Sequence, residues 1–338
     1  MRAPAFWNRD GIIPALLTPA SWAWSAAAHL RAATTTPERV SVPVICVGNL
    51  TVGGAGKTPT VLALLEMIAA RAQGRPIAHA LTRGYGGTLP GPVRVDPVRH
   101  TAAEVGDEAL LLARVAPTWI AHDRVAGALA AAASGARAVV MDDGFQNPAL
   151  IKDLSLVVVD GETGFGNRRV MPAGPLREPI KTGLKRADAV IIIGNDAAGI
   201  AADIRAIKPS LPMLTAHIAP SSSGLQGQRV FAFAGIGRPE KFFATLAAAG
   251  AEVVGRKSFP DHYPFKAADI AALEIAAKSL NARLVTTEKD HVRLDAIAQG
   301  NVATLPVTLT FDNPAALTAL VDPIMAQALN SLRSNHVR

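Results

Sequence analysis

The sequence predicts an α/β protein, a parallel sheet flanked by helices, followed by a second and smaller α/β unit. Three observations carry that prediction. From Val42 onwards, short apolar runs rich in β-branched residues alternate with segments of helical periodicity, an order that gives parallel strands joined by helical crossovers. The first of these runs feeds a glycine-rich loop that opens a helix. Periodicity fades near residues 196–227, around Ser221-Ser222-Ser223-Gly224, and a second alternating series follows. At 338 residues and 49% apolar content the chain is long enough for two units and too apolar to be mainly disordered. The expected division is an N-terminal membrane-associating helical segment over 1–38, a core unit over 39–222 and the smaller α/β unit over 223–338.

Gly11 to His29 carries Ile12, Ile13, Leu16, Leu17, Trp22 and Trp24, with no acid, Lys or Arg, and Arg2, Arg9 and Arg31 flank it. Pro14 and Pro19 are expected to break it into short pieces, and its tryptophans suit the headgroup level, so an interfacial anchor is expected rather than a full span. An export leader ending at Ser25–Ala28 and an ordinary buried helical hairpin are the rival readings. Export would separate the phosphate loop described next from cytoplasmic ATP.

That loop lies in 42–60, VPVICVGNLTVGGAGKTPT. Val42–Val47 reads as a buried strand, and a loop holding Gly48, Gly53, Gly54 and Gly56 delivers Lys57-Thr58 to a helix starting near Pro59. Such a loop turns backbone N–H groups onto an anion at a helix N-terminus; Lys57 can reach the β- and γ-phosphates, and the Thr58 hydroxyl can ligate Mg²⁺. Thr51 stands where the strict pattern has its first glycine. The fold class is therefore P-loop NTPase-like.

Ile77–Thr82 reads as the next strand and ends at Arg83-Gly84-Tyr85-Gly86-Gly87, where basic and phenolic groups can hold phosphate or sugar beside an approachable backbone. Val105-Gly106-Asp107-Glu108 opens the helix Ala109–Val115; Asp107 is either a plain helix-start acid or a carboxylate that orients an acceptor hydroxyl. Trp119–Ala121 is a short strand, Arg124–Ala133 a helix and Ala138–Met141 a strand running into Asp142-Asp143-Gly144-Phe145-Gln146-Asn147. Paired acids at such a strand end meet the need of a phosphate site for Mg²⁺. Strands Leu154–Asp160 and Ala189–Ile193 flank a long loop, and from Asn167 to Arg186 there are six basic residues and one acid. That charge suits an anionic bilayer or a substrate phosphate, with Arg177 placed for bidentate contact.

The second series comprises strands Val230–Ala234, Glu252–Arg256 and Arg283–Thr287 and helices Pro239–Ala249 and Ala267–Leu280. Phe259-Pro260-Asp261-His262-Tyr263-Pro264-Phe265 is a loop stiffened by prolines that presents His262, and Thr286-Thr287-Glu288-Lys289-Asp290 ends a strand. Lys and Arg exceed Asp and Glu by seven, which favours anionic partners. No stacking platform accompanies the basic residues, so nucleic acid is not expected. The single cysteine, Cys46, reads as a small buried hydrophobe, without a disulfide framework or Cys-based zinc site.

Taken together, GNLTVGGAGKTP, TRGYGG, VGDE, DDGFQN, PAGPLREP, FAGIGRP, FPDHYPF and TTEKD, in this order over almost the whole chain, resemble the tetraacyldisaccharide 4'-kinase family of Gram-negative lipid A synthesis. The resemblance implies transfer of the ATP γ-phosphate to the 4'-hydroxyl of tetraacyldisaccharide 1-phosphate, with ATP and Mg²⁺ bound, at the cytoplasmic face of the inner membrane by a monomer that touches the bilayer surface. It implies ATP binding by Thr51, Val52, Gly53, Gly54, Ala55, Gly56, Lys57, Thr58 and Pro59, and metal binding by Thr58, Asp142 and Asp143. Lys57, Asp107 and His262 take the catalytic roles, Asp107 receiving or orienting the hydroxyl proton and His262 tuning that carboxylate; Arg83, Tyr85, Asn147 and Arg177 meet the lipid substrate. Two positions depart from the family pattern: Asn147 stands where the acid element usually ends in His, and Ala55 where Thr or Ser is common. A P-loop kinase of a soluble small molecule, or a membrane-associated NTPase without an acceptor, are the competing functions.

Overall fold

The computed structural model describes residues 4–221 and 224–334, the last eight of these by backbone alone. A 3₁₀ turn, Ala5–Asn8, leads into α1 (Ile12–Thr34). The core unit then runs β1 (Val44–Gly48), α2 (Lys57–Arg71), β2 (Ala78–Thr82), β3 (Val93–Arg94), α3 (Ala102–Val105), α4 (Asp107–Ala113), β4 (Thr118–Ile120), α5 (Arg124–Ala133) and β5 (Ala138–Asp142). It continues through β6 (Leu154–Asp160), α6 (Ile180–Arg186), β7 (Ala189–Ile193), α7 (Ile200–Ile207) and β8 (Met213–Pro220). The smaller unit holds β9 (Arg229–Ala234), α8 (Pro239–Ala248), β10 (Glu252–Ser258), α9 (Ala267–Ser279), β11 (Arg283–Thr287), α10 (Glu288–His291), α11 (Ala296–Asn301) and β12 (Ala303–Leu305). Two elements close the chain, β13 (Val307–Phe311) and α12 (Pro314–Ser334).

The large sheet is ordered β13-β8-β7-β6-β1-β5-β2-β4-β3 and is parallel except at its two edges, where β13 and β3 run antiparallel to their neighbours. Its central strands are buried on both faces, as parallel strands between helical layers must be. Alternation along β1 shows how one strand serves both layers. Ile45 and Val47 meet Val61, Leu64 and Ile68 of α2 with Leu317 and Val321 of α12, while Val44 and Cys46 share the other face with residues of α5, α6 and α7. Burial also pushes the Cys46 thiol up to about 12, which suits its packing role. The smaller sheet, β10-β9-β11-β12, is wholly parallel and carries its own core around Phe242, Phe243, Leu246 and Val285 on one face and Phe233, Ile270 and Leu273 on the other.

Three expectations are corrected. The two prolines do not fragment the N-terminal segment; α1 is one helix of 23 residues. Pro14 falls in its first turn, where the missing N–H has no helical acceptor, and Pro19 forfeits a single bond while the alanine-rich turns after it continue. The stretch read as an aperiodic junction contains α7 and β8, whose half-exposed pattern lacks the run of apolar residues that marked the inner strands. Finally, β13 leaves the smaller unit and pairs with β8, burying Leu309 and Phe311 in the core of the large sheet while Thr308 and Thr310 face out. The chain end after residue 306 thus packs on the core unit rather than with the rest of 223–338.

Candidate active site

The site grows from the carboxyl end of β1. Gly56, in the left-handed region at φ 92°, turns the chain into α2, whose first residue is Lys57. Gly53 and Gly54 border open space, since a Cβ built on either would meet no atom within 4 Å. The rim of the loop is pinned from outside: Thr51 bridges to Leu176, and the Val52 N–H donates to the Pro175 carbonyl at 2.8 Å. Asn49 supports it from within, its Nδ2 reaching the Gly53 carbonyl at 3.4 Å.

The neighbouring strand β5 brings the two acids to this loop. The Thr58 hydroxyl donates to Asp142 Oδ2 at 2.9 Å, while the buried Asp142 Oδ1 has no hydrogen-bond partner. Burial pushes Asp142 up to about 7 against the pull of Lys57. An orphaned oxygen on a carboxylate short of positive charge, next to a threonine hydroxyl, is a donor set that suits Mg²⁺. Asp143 differs. Arg177 grips it in a bidentate pair, 2.6 and 2.9 Å, and Lys57 Nζ stands 3.6 Å away. Burial would raise its pKa, but Lys57 and Arg177 outweigh burial and hold it below the usual range. Arg177 is itself held by Gln146, which also donates to the Asn49 carbonyl at 2.9 Å and to Glu178 at 3.0 Å. Arg186 closes this chain on Glu178 at 2.6 and 2.7 Å.

Across from the loop, the start of α4 meets the smaller unit. Asp107 is 4% exposed, and Oδ2 receives Arg293 Nε at 2.8 Å, with Arg293 NH2 at 2.6 Å and His262 Nδ1 at 3.2 Å. Lys289 Nζ stands 2.7 Å from Glu108, 4.0 Å from Asp107 and 3.3 Å from His262 Nε2. Burial alone would raise the Asp107 pKa; the His262 contact, Lys289 and Arg293 together hold it well below the carboxylate range. Glu108, by contrast, is raised by its burial. Its charge adds to the rise of Asp142, and α4 packs against α2, the helix that opens with Lys57 and Thr58. The turn before α4 is steric: Gly106 has φ 84° and a Cβ there would lie 2.5 Å from the Tyr85 carbonyl oxygen.

Of the residues singled out in the sequence, Lys57, Thr58, Asp142, Asp143 and Arg177 come together in direct contact, and Asp107 joins His262. Tyr85 is exposed and packs edge-on against His262, ring centroids 5.3 Å apart. Arg83 is exposed beside Arg124, whose pKa burial lowers and Arg83 lowers further. Asn147 serves its own turn, Oδ1 accepting from the Ala149 and Leu150 N–H groups at 2.9 and 3.2 Å, the local bonding an amide of this length supplies. Arg293 and Gln146 were not singled out. Gln146 lay inside a motif already quoted; Arg293, separated from Asp107 by 186 residues of chain, left no local signal.

A phosphate loop, an acid strand beside it and a buried acid–histidine pair at the start of α4 define a nucleoside-triphosphate-dependent phosphotransferase of the P-loop α/β class. The comparisons narrow the class to one family. The family model described as LpxK, tetraacyldisaccharide-1-P 4'-kinase, matches residues 13–326. The tetraacyldisaccharide 4'-kinases of Rhodospirillum centenum and Rhodospirillum rubrum are 55% and 52% identical, covering 96% and 98% of this chain and 97% and 100% of their own. A crystal structure of LpxK from Aquifex aeolicus in complex with ATP superposes with a TM-score of 0.72 at 26% identity, covering 93% of this chain and 99% of that one. The chain belongs to the tetraacyldisaccharide-1-P 4'-kinase family.

Proposed function

We propose that Lys57 and the amides of Thr51 to Thr58 hold the ATP phosphates, that Thr58 and Asp142 hold Mg²⁺, and that Asp107 receives the acceptor hydroxyl. The enzyme is an ATP-dependent kinase that transfers the γ-phosphate to the 4'-hydroxyl of tetraacyldisaccharide 1-phosphate in lipid A synthesis. One observation carries the assignment of roles: α2, which opens with Lys57 and Thr58, packs against α4, which opens with Asp107, so the nucleotide and acceptor sides adjoin.

Phosphoryl transfer passes through a loose transition state that asks for alignment and charge neutralisation. Mg²⁺, which Thr58 and Asp142 would hold, would supply part of that charge neutralisation. Asp107, held ionised by its cations, is a weak base; its work is to accept the hydroxyl's hydrogen bond, aim the oxygen, and take the proton late. Lys57 releases Asp143 to reach phosphate oxygens, and Asp143 remains paired by Arg177, a residue whose second task is contact with the lipid's anionic group. Tyr85, edge-on to His262, and the exposed Arg83 just before it suit sugar and phosphate.

No described helix is long and apolar enough to cross a membrane. The outward face of α1 carries Ile12, Ile13, Leu16, Trp22, Trp24 and Leu30, and the inward face docks on the basic loop through Ser21 Oγ to the Val170 carbonyl, 2.7 Å. We assign this face to the bilayer surface on the side where ATP is made available, with the acyl chains remaining in lipid.

Asp107→Asn tests the assignment. It should lower kcat by about 10²–10⁴-fold, the worth of acid–base help, with the KM for ATP nearly unchanged. Wild-type turnover in that variant removes Asp107 from the acceptor role.

A further inference from the structure

Two cations from the smaller unit, Lys289 and Arg293, reach the acceptor carboxylate, and holding it ionised does not by itself explain how they are placed. Lys289 starts from α10, directly after β11, and Arg293 follows the same short helix. Val292 between them packs in the core formed by Val105, Ala109, Leu110 and Ile120, so the segment is seated on the core unit by apolar contact as well as charge. Arg293 is fixed on its far side, NH1 donating to the Gly235 carbonyl at 3.0 Å and to Asp290 at 2.8 Å. Asp290 in turn accepts from the Gly235 N–H at 3.0 Å.

We propose that Lys289 and Arg293 are positioning residues: Lys289 fixes the tautomer of His262, and Arg293 sets the orientation of Asp107, so that the acceptor carboxylate is assembled by the seated smaller unit. The inference rests on the reading of Asp107 as the acceptor's partner. An ammonium has donors and no acceptor. With Lys289 3.3 Å from Nε2, that nitrogen must offer its lone pair, so the ring proton sits on Nδ1, which faces Asp107 Oδ2 at 3.2 Å. Arg293 meets the same oxygen with its Nε, a planar guanidinium whose direction is set by Gly235 and Asp290. Burial opposes charge on Lys289, but Glu108 and Asp107 outweigh it and its pKa is raised, so it stays a donor.

Asp107, Glu108 and His262 offer ligand atoms within 4.8 Å of one another, which is the spacing of a metal site. Lys289 and Arg293 already supply the positive charge there, so the cluster is read as an ion-paired assembly. The other charged and titratable groups facing it are Asp261, 3.9 Å from His262 Nε2, Asp290 behind Arg293, and Tyr85 on the His262 ring.

The test uses the detergent-solubilised full chain with Mg-ATP and tetraacyldisaccharide 1-phosphate, and compares wild type, Lys289→Met, Lys289→Arg, Arg293→Lys and Asp107→Asn. Lys289→Met should lose on the order of 10²-fold in kcat, the cost of a misplaced reacting group, with the KM for ATP unchanged. Its acid limb in the kcat–pH profile should move up by about 1–3 units as Asp107 loses a neighbouring cation. Lys289→Arg, which keeps the charge, should recover the pH profile. Arg293→Lys should lower kcat without moving that limb as far, which keeps the idea testable if Lys289→Met fails to fold. Wild-type kcat and pH profile in both Lys289→Met and Arg293→Lys, with Asp107→Asn inactive, overturns the positioning role alone. An active Asp107→Asn overturns it together with the reading beneath it.

Discussion

Asp107 and Asp142 are both buried acids, and their surroundings drive them in opposite directions. Around Asp107 two cations and a histidine outweigh desolvation, whereas Asp142 has only Lys57 and one hydroxyl against it. The difference matches the work proposed for each: one carboxylate stays ionised to meet a hydroxyl, the other waits for a cation. His79 tests the same reasoning away from the site. It is buried in β2, its Nδ1 accepting from the Trp119 indole N–H at 3.3 Å, and burial with the nearby Arg94 lowers its pKa to about 4. The native state therefore binds fewer protons here than the unfolded chain, and stability present above about 6.5 is lost as the pH falls through that value towards 4. His79→Gln should flatten the fall in melting temperature over this window; an unchanged slope would remove His79 from the acid response. The sequence displayed Lys57, Thr58, Asp142 and Asp143 because a loop and a strand end place them by local geometry. It hid Arg293, whose partner is set by tertiary packing alone.

At the scale of elements, β1, the phosphate loop and α2 form one unit braced by the acid turn. Gly48 makes the bracing possible, because a Cβ there would lie 2.4 Å from the Phe145 Cβ, and Phe145 is fully buried beneath the Arg186 guanidinium. Gly48→Ala should cost about 1–3 kcal/mol by overpacking and weaken nucleotide binding, measurable by denaturant unfolding and ATP titration. Wild-type values for both would mean the turn can shift freely. The inner strands were legible from mostly apolar or β-branched runs, Leu154–Asp160, Ala189–Ile193 and Arg283–Thr287 ending where the sequence predicts. The edges were not. Strands β8 and β13 lie half exposed at one border, so exposed threonines and a histidine alternate with their apolar residues and dilute the signal.

At the scale of the whole molecule, the two sheets meet through charge at two places. Arg293, Lys289 and His262 reach Asp107 and Glu108, and Arg238 and Lys241 of the smaller unit pair with Asp160 at the end of β6 and Glu162 just after it. Helix α1 adds a third surface. It rests on the loop that carries Arg177, whose carbonyl accepts from Trp24 Nε1 at 3.3 Å, so the helix proposed to meet lipid and the active site share one segment of chain. Leu16→Glu with Trp22→Glu, both on the exposed face, should abolish binding to anionic vesicles and raise the KM for acylated substrate while leaving ATP binding intact. Retained vesicle binding would move the membrane surface elsewhere on the molecule.

The central claim is that this chain moves the γ-phosphate of ATP onto a lipid hydroxyl. It is tested most directly by incubating detergent-solubilised protein with Mg-[γ-³²P]ATP and tetraacyldisaccharide 1-phosphate, beside Lys57→Ala. The account predicts labelled bisphosphorylated lipid from wild type and none from the variant. ATP bound or hydrolysed by wild type with no labelled lipid would contradict it.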